Sequence, residues 1–138
     1  MAAWLLAAGG AIYVVLGALH ALYTFTDIAR PRRIVPDDPA LIAAMQASGV
    51  RLARGGTTMW RAWVGFNFSH SLGAVVFGAG CIAAAWCLLP LAPARAVLAI
   101  PVAVSALYLV LAIRYWFRIP VGGTAIATAS FALAWLAY

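Results

Sequence analysis

Formal charges divide the chain into long apolar runs. Ala2–Thr26, Ala62–Ala94, Ala96–Ile113 and Ile119–Tyr138 contain no Asp or Arg, and Ala, Leu, Val and Ile dominate all four. A helix rising 1.5 Å per residue needs about 20 residues to cross a hydrocarbon layer of about 30 Å. Each run fits one crossing, with Arg114 extending the third by reaching toward the headgroups. The pattern predicts helices at about 4–26, 60–89, 95–117 and 119–138, the second ending in a Pro90/Pro93 turn. A spanning β-barrel would need alternating strands of about ten residues, which these runs lack. The expected fold is all-α: a polytopic membrane protein whose four transmembrane helices bundle into a single domain, residues 1–138.

The first run has no basic leader, exceeds the usual ~7–15 residue signal core, and ends without a small-residue cleavage pattern. It is expected to remain as the first helix. Between the first two spans lies the one long loop, 27–59, holding all three acids and most of the arginines. Pro31 stops the first helix. Asp38 then reads as an N-cap with Pro39 at the first helical position. Leu41, Ile42, Met45 and Leu52 recur at helical spacing before Gly55-Gly56, predicting a short amphipathic helix lying in the membrane interface. It would act as a lid over the bundle mouth or simply rest on lipid.

Composition agrees with the pattern. Of 138 residues 67% are hydrophobic, and mean hydropathy is +1.02. A chain this small could not hide so much apolar surface from water, which excludes a water-soluble globular enzyme. The charge of +6 comes entirely from arginine, since Lys and Glu are absent. Arg30, Arg32, Arg33, Arg51, Arg54, Arg61, Arg114 and Arg118 flank one side of the predicted bundle and only Arg95 the other. The positive-inside rule then puts the long loop in the cytoplasm and both termini on the outer side of a bacterial inner membrane. The arginines are spread along membrane edges, which favours lipid over nucleic acid as their partner. Trp4, Trp86, Trp135 and Tyr138 fall at outer ends, and Trp60, Trp63, Tyr115 and Trp116 at inner ends, as interfacial aromatics should.

Polar residues inside the spans fall on single helix faces. Gly10, Tyr13, Gly17, His20, Thr24 and Asp27 alternate three- and four-residue steps along the first helix. Trp60, Trp63, Asn67, His70 and Ala74 do so along the second, with Ser71 beside them. The third offers Ser105, Tyr108, Ala112 and Tyr115, and the fourth Thr124, Thr128, Phe131, Trp135 and Tyr138. Measured from Asp27 and Arg61, His20 and Asn67 lie about 9–10 Å deep and His70 about 13 Å. The candidate ligand-binding set is therefore His20, Asn67, His70 and Tyr108, with Thr24 and Ser71 alongside, opening toward the cytoplasmic leaflet. The plainer alternative is helix glue, worth about 0.6 kcal/mol per polar contact. Against glue alone, Asn67-Phe68-Ser69-His70-Ser71 crowds four polar residues into one and a half turns.

Several chemistries suit that set. His20 and His70, the only histidines, could be axial ligands of haem b. A His-Asn-Tyr cluster could instead hydrogen-bond the carbonyl of a quinone or lipid, behind an aromatic mouth of Trp60, Trp63 and Phe66. Asp27 and His20 could pass protons, although Asp27 suits an ion pair with Arg30 or Arg61. Cys81 and Cys87 sit away from both imidazoles and are not spaced as a redox pair, so no metal site is expected from them. Hydrolytic and nucleotide-binding motifs are absent.

The run Thr57-Thr58-Met59-Trp60-Arg61-Ala62-Trp63-Val64-Gly65-Phe66-Asn67-Phe68-Ser69-His70-Ser71, with the Gly17-x-x-His20 step and the Arg/Pro-rich loop, resembles small bacterial four-helix membrane proteins. That resemblance covers about the first half of the chain. It implies the four-helix fold and carries no activity. Ala74 to Gly78 and Gly80 to Ala84 are small-xxx-small patterns that let helices approach closely, within the bundle or between protomers. A homodimer, or a structural or assembly subunit of a larger membrane complex, is thus the main alternative to a binding protein. Transport is a third class, without an inverted repeat or interrupted helix to support it.

Overall fold

The structure, a computed structural model, describes residues 1–89, 91 and 94–138, Ala94 by its backbone alone. The turn expected at Pro90/Pro93 lies outside the described residues. Those residues form five α-helices and no strand: α1 (Ala2–Ala29), α2 (Pro39–Ala47), α3 (Met59–Cys87), α4 (Ala94–Tyr115) and α5 (Arg118–Leu136). Four of them, α1, α3, α4 and α5, are long and apolar enough to cross a membrane. Their ends fall within about a turn of the expected ones. The chain forms two compact units, Met1–Leu16 with Ala74–Tyr138, and Gly17–Gly73. Helices α1 and α3 each contribute one part to either unit.

In the first unit small side chains set the packing. Gly10 and Gly78 bring α1 and α3 into backbone contact: a Cβ on Gly10 would stand 2.6 Å from the Gly78 carbonyl oxygen. A Cβ on Gly78 would collide with the Gly10 carbonyl oxygen and stand 2.9 Å from the Val14 nitrogen. The Phe131 ring fills the space over Gly9, where a Cβ would overlap it. Tyr13, 1% exposed, occupies the centre. Phe77 meets it edge-on with ring centroids 4.8 Å apart, and Tyr108 lies at 5.4 Å. Leu107, Val110, Leu111, Ile113, Ile126 and Leu133 point outward, while Ala74, Ala85, Ala112, Ala127 and Ala134 are buried. That is the reverse of a soluble bundle. It suits a chain surrounded by lipid, where burying Leu gains little and close backbone approach gains dispersion.

The buried faces differ in detail from the expected seams. On α4 Ser105 and Ala112 are buried, but Tyr108 is half-buried and Tyr115 exposed. On α5 Ala127 and Ala134 join Thr124 and Phe131 inside, while Thr128 is half-buried and Trp135 exposed. Smallness, more than polarity, selects the inward side. Pro101 sits inside α4 without ending it.

The second unit combines the C-terminal part of α1, the loop and the first half of α3. Pro31 disfavours helical backbone at Arg30, and α1 stops at Ala29. Asp38 caps α2, its Oδ1 accepting from the Ala40 amide at 2.8 Å, with Pro39 at the first position. Helix α2 ends at Ala47, well before the expected stop at Gly55-Gly56. Ser48 takes extended backbone, and Gly49 and Thr58 pair as an isolated antiparallel bridge. The Met59 amide donates to the Ser48 carbonyl at 2.8 Å, closing a tight loop between them. Within it a single 3-10 turn, Arg51–Ala53, leads to Arg54 and Gly55 at φ 44° and 90°, left-handed backbone that glycine adopts freely. Leu52 therefore leaves the face shared by Leu41, Ile42 and Met45, and is 94% exposed. No residue of α2 is buried.

Candidate ligand site

Two helical stretches of the second unit carry the polar cluster. On α1, Gly17, Thr24 and Asp27 are buried and His20 half-buried, following the expected seam. On α3, Trp60, Asn67, Ser71 and Ala74 are buried, whereas His70 stands half-buried beside that face. Thr24 and Ser71 turn their hydroxyls to their own helices, donating to the His20 carbonyl at 2.9 Å and the Asn67 carbonyl at 2.8 Å. Such bonds satisfy a hydroxyl where no water is available. Both hydroxyls are thus satisfied as donors within their own helices.

His20, Asn67 and His70 do come together. His20 Nε2 lies 2.8 Å from Asn67 Oδ1, and Asn67 Nδ2 donates to the Trp63 carbonyl at 2.8 Å. Because a carbonyl can only accept, the Trp63 contact orients the amide and leaves its oxygen facing His20. The proton between them therefore belongs to His20 Nε2, and a neutral His20 ring keeps its lone pair on Nδ1. The two imidazoles meet edge to face with centroids 5.3 Å apart. Phe66, 64% exposed, lies nearly parallel to His70 at 6.2 Å. Trp60 and Trp63 stack on each other at 5.2 Å.

The histidine pair does not fit haem. Imidazoles on opposite faces of an iron, each bonded at about 2 Å, hold their ring centroids roughly 6 Å apart with the macrocycle between them. Here the rings touch at 5.3 Å, and His20 Nε2 is committed to Asn67. Among the described residues no three His, Cys, Asp or Glu converge in a metal-holding group. Cys81 is buried in the first unit and Cys87 is exposed.

Tyr108 lies in the first unit, packed with Tyr13 and Phe77. One expectation about a neighbouring residue changes. Asp27, 1% exposed, engages backbone and not an arginine head: its carboxylate accepts from the amides of Arg32 at 3.1 Å, Arg33 at 3.3 Å and Ile34 at 2.8 Å. Free loop amides outcompete a solvated guanidinium for a buried carboxylate because they carry no ionic hydration shell to shed.

The first unit holds a second polar chain whose direction can be derived. Thr128 donates to the Thr124 carbonyl at 2.7 Å, so its oxygen accepts from Ser105, also 2.7 Å away. Ser105 then accepts from the Tyr13 hydroxyl at 2.9 Å. Every hydroxyl in this chain is satisfied, and Tyr13 and Ser105 are fully enclosed. Polar spacing in α1, α4 and α5 was the only sequence signal for it.

Comparison with protein-family models, curated proteins and solved structures finds no match to this chain.

Proposed function

We propose that this chain is a small integral membrane protein in which His20, Asn67 and His70, flanked by Phe66, bind the carbonyl head of a lipophilic small molecule, quinone being the class that fits best. The observation that carries the proposal is a contrast in burial. In the first unit the Tyr13–Ser105 bond is enclosed, as a helix tie should be, since a buried hydrogen bond is protected from competition. Both imidazoles are instead half-exposed, and the aromatic ring stacked on one of them is open. Asn67 fixes the His20 tautomer, which is what a site needs and a simple tie does not. His70 sets a second imidazole against His20, and Phe66 offers a flat apolar wall. The chemistry proposed is binding, with no bond made or broken. By the arginine distribution the site faces the cytoplasmic leaflet of a bacterial inner membrane, with both termini outside.

Purification in mild detergent, followed by mass spectrometry of co-extracted lipophiles and titration with a short-chain quinone, tests this. Wild type should retain or bind a carbonyl-bearing molecule that a His20→Ala/His70→Ala variant of near-normal melting temperature loses. Equal retention by that variant, or no binding by wild type, overturns the proposal.

An assembly subunit is the second reading, and Gly80 favours it. A Cβ there would meet nothing within 4 Å, so packing among the described residues does not require a glycine at this point of α3. Gly80→Leu should then break a homodimer or larger complex while leaving the monomer folded.

A further inference from the structure

The end of α1 carries a concavity of different chemistry from the histidine cluster. Residues 25–30 with Arg32 and Arg33 line a largely apolar groove of about 460 Å³, Phe25, Ile28 and three arginines among them. Phe25 and Ile28 are exposed there, as are all three arginines. The groove also touches Asp27, whose carboxylate is turned to the amides of Arg32, Arg33 and Ile34. Those hydrogen bonds fold the chain after Pro31 back onto the helix end and hold the arginine backbone in place. Asp27 is the one acidic group among the lining residues, so three arginines leave the lining with a net positive charge. Arg33 is steadied further, its guanidinium carbon 4.6 Å above the centre of the Tyr23 ring.

We propose that this groove binds an anionic phospholipid, its phosphate taken by Arg30, Arg32 and Arg33 and its acyl chain laid against Phe25 and Ile28. This rests on the chain being a membrane protein, but not on the histidine site. Charge complementarity selects the occupant. Guanidinium forks match phosphate oxygens in pairs, and an apolar wall beside them suits a molecule that carries hydrocarbon next to its phosphate. The volume falls within the range of small-molecule sites. Diffuse attraction of basic loops to anionic membranes would need no fixed geometry. The Asp27 clamp supplies that geometry and so distinguishes a site from a charged edge.

The test uses full-length protein in neutral detergent, titrated with water-soluble dioctanoyl phosphatidylglycerol, dioctanoyl phosphatidylcholine and inorganic phosphate. Wild type should bind phosphatidylglycerol at least about tenfold more tightly than either of the others. Arg30→Gln/Arg32→Gln/Arg33→Gln should lose that preference, while Arg51→Gln/Arg54→Gln/Arg61→Gln, with the same charge removed from the rest of the loop and the start of α3, should keep it. Asp27→Asn, a positioning change, should weaken phosphatidylglycerol binding with the arginines intact. Equal losses in the two triple variants would reduce the effect to diffuse charge and overturn the proposal. Equal binding of inorganic phosphate would overturn the lipid assignment. Extraction of wild type from membranes by alkaline carbonate would sink the membrane reading separately, because the soluble lipid reads the groove without insertion.

Discussion

Gly78→Ala is the sharpest single perturbation of the first unit. The added methyl would collide with the Gly10 carbonyl oxygen and stand 2.9 Å from the Val14 nitrogen and 3.0 Å from the Tyr13 Cβ. Two of these three neighbours are backbone atoms, which cannot rotate away as a side-chain tip can. Helices α1 and α3 must therefore separate locally, loosening the packing around Tyr13 and its 2.9 Å bond to Ser105. Overpacking of this kind costs about 1–3 kcal/mol, and a weakened hydrogen bond adds about 0.6 kcal/mol. The helix preference of Ala over Gly returns up to about 1 kcal/mol, leaving a net loss near 1–3 kcal/mol. Gly80→Ala is the internal control: the same helix and chemistry, with open space around the new methyl. It should be neutral or stabilising by up to about 1 kcal/mol. Reversible unfolding in mixed detergent micelles, followed by tryptophan fluorescence, measures both. Equal stabilities for Gly78→Ala and Gly80→Ala would refute the close approach of the two helices.

Other expectations follow from the same contacts. Tyr13→Phe removes the donor heading the Ser105–Thr128 chain and should lower stability by about 0.6–1.7 kcal/mol in the same assay, with Thr128→Val adding less than its separate cost because the two share Ser105. Asp27→Leu should release the amides of Arg32, Arg33 and Ile34, read as faster hydrogen exchange at those three positions and little change at Asp38-capped Ala40. Asp38→Ala removes the N-cap of a nine-residue helix and should cost α2 about 1 kcal/mol, visible as loss of its amide protection.

Much of this architecture is legible in the sequence because long apolar helices announce themselves by length and by the charges that bound them. The polar seam of α1 is legible for the same reason: an apolar helix has few polar residues, and those at Tyr13, Thr24 and Asp27 turn inward together. The register of the other helices is less so. Alanine at 127 and 134 packs inward without any polar mark, and Ser71, not His70, lies on the buried face of α3. Half-exposure of His70 is a matter of rotation by one residue, about 100° on the wheel, which seam-picking by polarity cannot resolve. The early end of α2 is a local contest between a continuing apolar rhythm through Leu52 and the Ser48-Gly49 pair, won by the pair through the Gly49–Thr58 bridge, whose flanking bonds run from the Met59 amide to the Ser48 carbonyl and from the Val50 amide to the Thr57 carbonyl. The Asp27 clamp is invisible in sequence because its partners are amides, which every residue but proline possesses.

The site's central claim is best tested on the imidazoles themselves, by nitrogen-15 spectra of the two histidines in detergent with and without a short-chain quinone. His20 is predicted to carry its proton on Nε2, to lose that tautomer preference in Asn67→Leu, and to shift together with His70 when the quinone is added. A proton on Nδ1 would contradict the geometry, and histidine signals unmoved by quinone would contradict the proposed binding.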